Sequence, residues 1–176
     1  MRMTAFATLP FPLQPRVTAP GGSDVRVLLA LSGGSMAHFS LAPGRCSAAV
    51  RHRTVEELWF VVSGGAAMWR SQDGRAEVVE LHPGTSLSIP LGTAFPFKTL
   101  GDAPFTAVAI TLPPWPGPLE VVPVEGPWQA TSHPRGAWPD WIAGARRQSS
   151  ISPSTYSQRP WSHTKRLSSC WRTARP

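Results

Sequence analysis

From residue 25 onward Val, Ile, Leu, Phe and Trp recur in short runs, each closed by Gly, Pro or Ser and spaced about ten residues apart. The runs cover residues 25–31, 36–41, 47–52, 58–63, 66–70, 76–81, 86–89, 95–99 and 105–112. Apolar and polar positions alternate within several of them, which is the period of a strand with one buried face. Between the runs, Gly33-Gly34, Pro43-Gly44, Gly64-Gly65, Asp73-Gly74, Pro83-Gly84 and Gly101-Asp102 supply positive φ or a φ preset by proline. Short strands with turn signals at this spacing predict an all-β sandwich or barrel. About a hundred residues so arranged can bury one continuous core without help from a metal or a disulfide. Residues 1–24 have too many prolines and too little periodicity for more than an extended segment. After Leu112 the text turns to PPWPGP and then EGPW, the composition of a rigid extended linker.

Composition sharpens this picture in three places. Twenty prolines and fifteen glycines in 176 residues disfavour long helices, since an interior proline costs a helix roughly 3 kcal/mol. No apolar run is long enough to span a membrane, and the apolar stretch after Arg2 is broken by Pro10, Pro12 and Pro15 before a signal-type core can form. The expectation is therefore a cytoplasmic protein with no membrane partner. The net charge of +7 is unevenly placed: residues 1–126 are neutral overall, and the excess lies wholly in residues 127–176, where Asp140 is the one acidic residue. That tail is rich in Ser, Arg and Trp without apolar periodicity and reads as disordered. A basic, aromatic arm that stacks on single-stranded nucleic acid is the functional alternative for the tail, and it is weaker than the bland one. Cys46 and Cys170 define no disulfide framework. The chain thus divides into an extended segment over 1–24, a barrel over 25–126 and a basic low-complexity tail over 127–176.

The chemistry is concentrated in VRHRTVEELWFVVSGG, residues 50–65, and in GTSLSIPLGTAFPFKT, residues 84–99. The spacing of His52, Glu57 and Gly64 in the first stretch, and of Gly84, Pro90 and Gly92 in the second, resembles the two motifs of the cupin superfamily, most closely its small single-domain bacterial members. The resemblance implies a double-stranded β-helix, or jelly-roll barrel, over about residues 25–112. It also implies a site where three imidazoles and one carboxylate from neighbouring strands hold Fe, Mn, Ni or Zn. Here the first motif's leading His falls on Val50, the second motif's His on Phe95 and its Asn on Thr99. His52 and Glu57 are then the candidate metal ligands, with His38 as a substitute ligand if its strand turns it inward. Two missing ligands leave either no cofactor or a weakly bound divalent transition metal.

Strand alternation puts Glu57, Trp59 and Val61 on one face and Leu58, Phe60 and Val62 on the other. If Glu57 faces inward it needs a partner, for which His52 and Arg70 are the candidates; the alternative leaves it in water at the barrel mouth. Trp59 and Phe95, with Trp69, make the cavity more aromatic than a metal site wants, although a plain hydrophobic core accounts for such residues as well. His82 sits in a turn and is expected to face solvent. Tyr156, the single tyrosine, lies in the tail, which argues against the acid–base chemistry implied by the resemblance to metal-free cupin epimerases. Phosphate-binding loops and a nucleophile elbow are absent from the sequence. The leading expectation is a cupin-like barrel with a degenerate metal site that binds a small molecule, with a homodimer as the compatible assembly. The alternative is a metal-dependent oxygenase or isomerase that uses His52, Glu57 and a substitute ligand. No catalytic residue is assigned.

Overall fold

A computed structural model describes residues 6–15 and 17–132. The tail beyond residue 132, and with it most of the basic segment, lies outside the described residues. Eleven strands run in chain order: β1 Val17–Thr18, β2 Asp24–Leu31, β3 Gly34–Leu41, β4 Val50–His52, β5 Glu56–Ser63, β6 Gly65–Gln72, β7 Arg75–Leu81, β8 Ser86–Ile89, β9 Phe97–Leu100, β10 Phe105–Leu112 and β11 Val121–Pro123. They form an antiparallel six-stranded sheet in the order β1-β2-β3-β10-β5-β8, a three-stranded sheet β7-β6-β9 and a pair β11-β4. The all-β barrel expected from the run spacing is what the chain builds. No helix among the described residues is long and apolar enough to cross a membrane.

The core lies between the sheets and follows from period-two patterning. In β10 every second residue from Phe105 to Thr111 is buried, and in β5 the buried set is Glu57, Trp59 and Val61. Leu41, Met68, Leu81 and Phe105 close the interior with Trp59 and Phe97. Gly64 makes the step from β5 to β6 possible: its φ is +71°, and a Cβ there would run into the Pro104 carbonyl. Leu58, Phe60 and Val62 point outward and remain about half exposed.

Three segments differ from the sequence expectation. Of the run 47–52 only Val50–His52 is a strand, because the bond from Phe97 N–H at the start of β9 goes to the Ser47 hydroxyl instead of its backbone carbonyl, so no ladder continues there. The proline-rich stretch after Leu112 is not a bare linker, since it makes a 3-10 turn at Pro118–Glu120 and then pairs as β11 with β4. Residues 127–132 lie against the barrel: Thr131 and Ser132 bond the Cys46 carbonyl, and Lys98 sits 4.5 Å from the Trp128 ring centroid. At the other terminus the extended segment crosses the outer face, where Arg26 donates to the Pro12 carbonyl at 2.9 Å and Phe11 meets His38 edge-on.

Candidate functional site

Four positions set by the two sequence motifs converge on one cavity of about 860 Å³. Alternation in β4 turns Val50 and His52 inward and Arg51 outward, and the same alternation in β5 turns Glu57 and Trp59 inward. Phe95 arrives from the segment before β9 and is tied to Val50 by two backbone hydrogen bonds, 2.9 Å and 3.3 Å long. Val50 and Phe95, the residues at two ligand positions of the motif, are thus held directly against each other. Phe39, Phe97 and Trp115 complete the aromatic lining, with the Phe39 ring stacked 5.4 Å from Trp59.

The polar corner of the cavity is small. Trp59 Nε1 donates to Glu57 Oε2 at 2.6 Å, and Glu57 Oε1 lies 3.8 Å from His52 Nδ1, beyond hydrogen-bond reach. Burial pushes the Glu57 carboxyl up to about 7, against the opposing pull of the Trp59 N–H. Burial likewise pushes His52 down to about 4, against the opposing pull of Glu120. An uncharged imidazole 3.8 Å from the carboxyl is a contact by distance and not an ion pair, and among the described residues His52 Nδ1 has no hydrogen-bond partner. Phe95 and Trp115 both meet the His52 ring edge-on, with centroids 5.5 Å and 5.3 Å away.

The loop carrying Trp115 is clipped over this corner. Ser35 and Thr111 share a 2.6 Å hydroxyl contact across β3 and β10, and the Trp115 N–H donates to the same Ser35 oxygen. Glu120 fastens the far side: Thr54 N, Thr54 Oγ1 and Val55 N all donate to its carboxylate. Burial alone would raise Glu120, but these donors outweigh it and hold the group below its ordinary value.

The structure places the sequence candidates unequally. His52, Glu57, Trp59 and Phe95 come together, all but Phe95 from strand positions that alternation sets inward. His38 does not join them: it lies on the opposite face of β3 from Phe39, under Phe11, so it supplies no substitute ligand. Arg70 is not the partner of Glu57, because it is engaged by Glu77 and the Ser88 carbonyl. Trp69 follows the buried Met68 on β6, is half-buried and does not line the cavity. His82 faces solvent as expected. Thr99, at the motif's Asn position, fastens the turn before β4 by accepting from Arg45 N and donating to the Ala42 carbonyl. Phe39 and Phe97 were findable from the two-residue period of their runs, whereas nothing in the sequence marked Trp115 or Glu120.

The donor set does not fit a centre of three imidazoles and one carboxylate. Two of the four positions carry hydrocarbon side chains, and no group of three or more His, Cys, Asp or Glu residues is placed to hold an ion among the described residues.

Residues 37–111 match the family model described as a cupin domain. No curated protein matches the sequence. Among solved structures the chain is similar to the capsular polysaccharide assembling protein CapF from Staphylococcus aureus, at 16% identity and TM-score 0.56, over 68% of this chain and 35% of that one. It is similar also to Bacillus subtilis oxalate decarboxylase, a protein with Mn(II) centres, at 18% identity and TM-score 0.54, over 70% and 35% of the two chains. The coconut allergen cocosin matches at 18% identity and TM-score 0.52, over 61% and 30%. The chain therefore spans about a third of the length of these structures, and at such identities the likeness is one of fold.

Proposed function

Residues 37–111 form a cupin domain, and on that premise we propose that the protein is a small-molecule binding or accessory module whose metal site is degenerate. The observation that carries the reading is the backbone pairing of Val50 with Phe95 in the cavity wall, which puts hydrocarbon where two imidazoles would have to stand. What remains is a largely apolar cavity of about 860 Å³, within the usual range for a small-molecule site, with one polar corner to orient a ligand. The test is elemental analysis of the full chain after exposure to iron, manganese, nickel and zinc and gel filtration in chelator-free buffer. The expected result is no stoichiometric metal. One retained equivalent that disappears in Glu57→Ala would overturn the reading.

The closeness of His52 and Glu57 favours the second reading, a metal-dependent oxygenase or isomerase that holds a weakly bound divalent metal. It predicts that His52→Ala abolishes metal retention while the barrel stays folded. Self-association belongs to the first reading: Leu58 and Phe60 with Val108 and Ile110 make an apolar outer surface on β5 and β10, suited to a second copy of the same sheet. Light scattering on the eluting protein should give twice the chain mass, and a monomer at tens of micromolar would count against a homodimer.

A further inference from the structure

The cavity has an unbalanced inventory of charge. Among the described residues its lining includes two acidic residues, Glu57 at the polar corner and Asp24 at the start of β2, and neither Lys nor Arg; Arg16, which follows the lining residue Pro15 in sequence, lies outside the described residues. Arg26, the nearest base along β2, is turned to the outer face, where the N-terminal segment occupies it. Glu57 is 4% exposed, and only one of its oxygens receives a hydrogen bond among the described residues. Trp59, Phe95 and Trp115 line the same cavity, and Trp59 meets Glu57 with its N–H edge. A buried carboxyl with one oxygen free of hydrogen bonds among the described residues, in a cavity lined by aromatic groups, offers a strong acceptor to a charged donor on a ligand.

We propose that the ligand is a small organic amine, with an ammonium group that takes the free oxygen of Glu57 and an apolar body that fills the aromatic part of the cavity. This rests on the binding-module reading above and names its ligand class. The ammonium is the complement of the corner on two independent counts. It supplies the donor that Glu57 Oε1 lacks, and the ring quadrupole of Trp115, the partly exposed indole in the lining, attracts positive charge presented to its face within about 6 Å. Among the described lining residues a carboxylate or phosphate ligand would meet two acidic groups and neither Lys nor Arg. A neutral alcohol could fill the same volume but would gain neither the charge-assisted hydrogen bond nor the attraction of the rings. The volume admits an amine with a body well above the size of one aromatic ring.

The experiment is calorimetric titration of the full chain with three compounds that share one apolar body, phenethylamine, phenethyl alcohol and phenylacetate. The amine should bind at least about tenfold tighter than the alcohol, and phenylacetate should bind weakest. Glu57→Gln keeps the volume and the acceptor for Trp59, and it should bring the amine to within about threefold of the alcohol. Trp115→Leu alters a partly exposed loop position and serves if Glu57→Gln fails to fold; it should weaken the amine more than the alcohol. An alcohol or phenylacetate that binds as tightly as the amine overturns the amine assignment and leaves the binding-module reading standing. An amine preference that survives Glu57→Gln also overturns it. Silence from all three compounds overturns it too, and a retained equivalent of metal in the same preparation then overturns the binding-module reading as well.

Discussion

Replacing Glu57 by Gln should stabilise the protein more as the pH is raised. The carboxyl is moved from an ordinary value of 4.5 to about 7, chiefly by burial, so its ionised form is disfavoured in the folded state. At about 1.4 kcal/mol for each tenfold change, that displacement corresponds to roughly 3 kcal/mol. The sign follows from proton counting. A group whose folded pKa lies above its unfolded value contributes its stability in full below about 4.5 and loses it as the pH rises through about 7. Gln has nearly the same shape, accepts from Trp59 Nε1 as the carboxylate does, and does not titrate. The difference in unfolding free energy, variant minus wild type, should therefore grow by about 2 to 3 kcal/mol between about pH 5 and pH 8. Because every other titration is common to both proteins, it cancels in the difference. Urea unfolding followed by tryptophan fluorescence gives both curves, provided the slopes agree between variant and wild type. A gap that stays constant within about 0.5 kcal/mol over that range, or narrows, would refute the reasoning and place Glu57 in water.

The remaining predictions probe the groups around it. His52 has its folded pKa lowered to about 4 by burial, so its contribution to stability is complete above its ordinary 6.5 and is lost as the pH falls toward 4; His52→Gln should remove up to roughly 3 kcal/mol of the acid sensitivity, read from urea midpoints across that window. Glu120→Ala strands Thr54 N, Thr54 Oγ1 and Val55 N and should cost about 3 kcal/mol, seen as a lowered Tm. Gly64→Ala forces a Cβ against the Pro104 carbonyl at a positive φ and should cost more than about 2 kcal/mol or prevent folding, whereas Gly74→Ala, at a turn with open space around it, should cost about 1 kcal/mol. Val50→His combined with Phe95→His returns imidazoles to the two hydrocarbon positions beside His52 and Glu57; it should retain about one equivalent of a divalent transition metal by elemental analysis, and failure to do so would mean that these four positions do not converge as described.

Strands and turns were legible because both depend on local rules. The alternation from Glu57 to Val62 assigned each side chain to its face, and the glycine at 64 marked a backbone path that no other residue follows easily. The motif spacing located His52, Glu57 and Phe95 because strands of fixed rise carry fixed intervals into fixed positions. Trp115 and Glu120 were illegible for the opposite reason. Each sits in a proline-rich stretch with no period of its own, and each is drawn to the site by a partner far away in sequence, Ser35 at 80 residues for the one and Thr54 at 66 for the other. His38 shows where alternation needs a reference: the run 36–41 fixes which residues share a face, but only packing under Phe11 decides that the face of His38 is the outer one.

The residue whose burial costs the fold stability is also the one on which the proposed ligand preference rests. A carboxyl with 4% exposure, held by one indole N–H, is a poor element of a core, since hydrocarbon of the same volume would avoid the desolvation cost. An apolar ligand would leave that cost in place and seal it further from water. A metal ion would relieve it, but Val50 and Phe95 leave the ion with too few donors to displace its hydration. An ammonium needs only one strong acceptor and an aromatic wall, and both are already positioned by β5 and by the loop that Ser35 clips down. The carboxyl whose burial makes folding pH-dependent is thus also the acceptor on which the proposed amine selectivity rests, so both trace to one side chain.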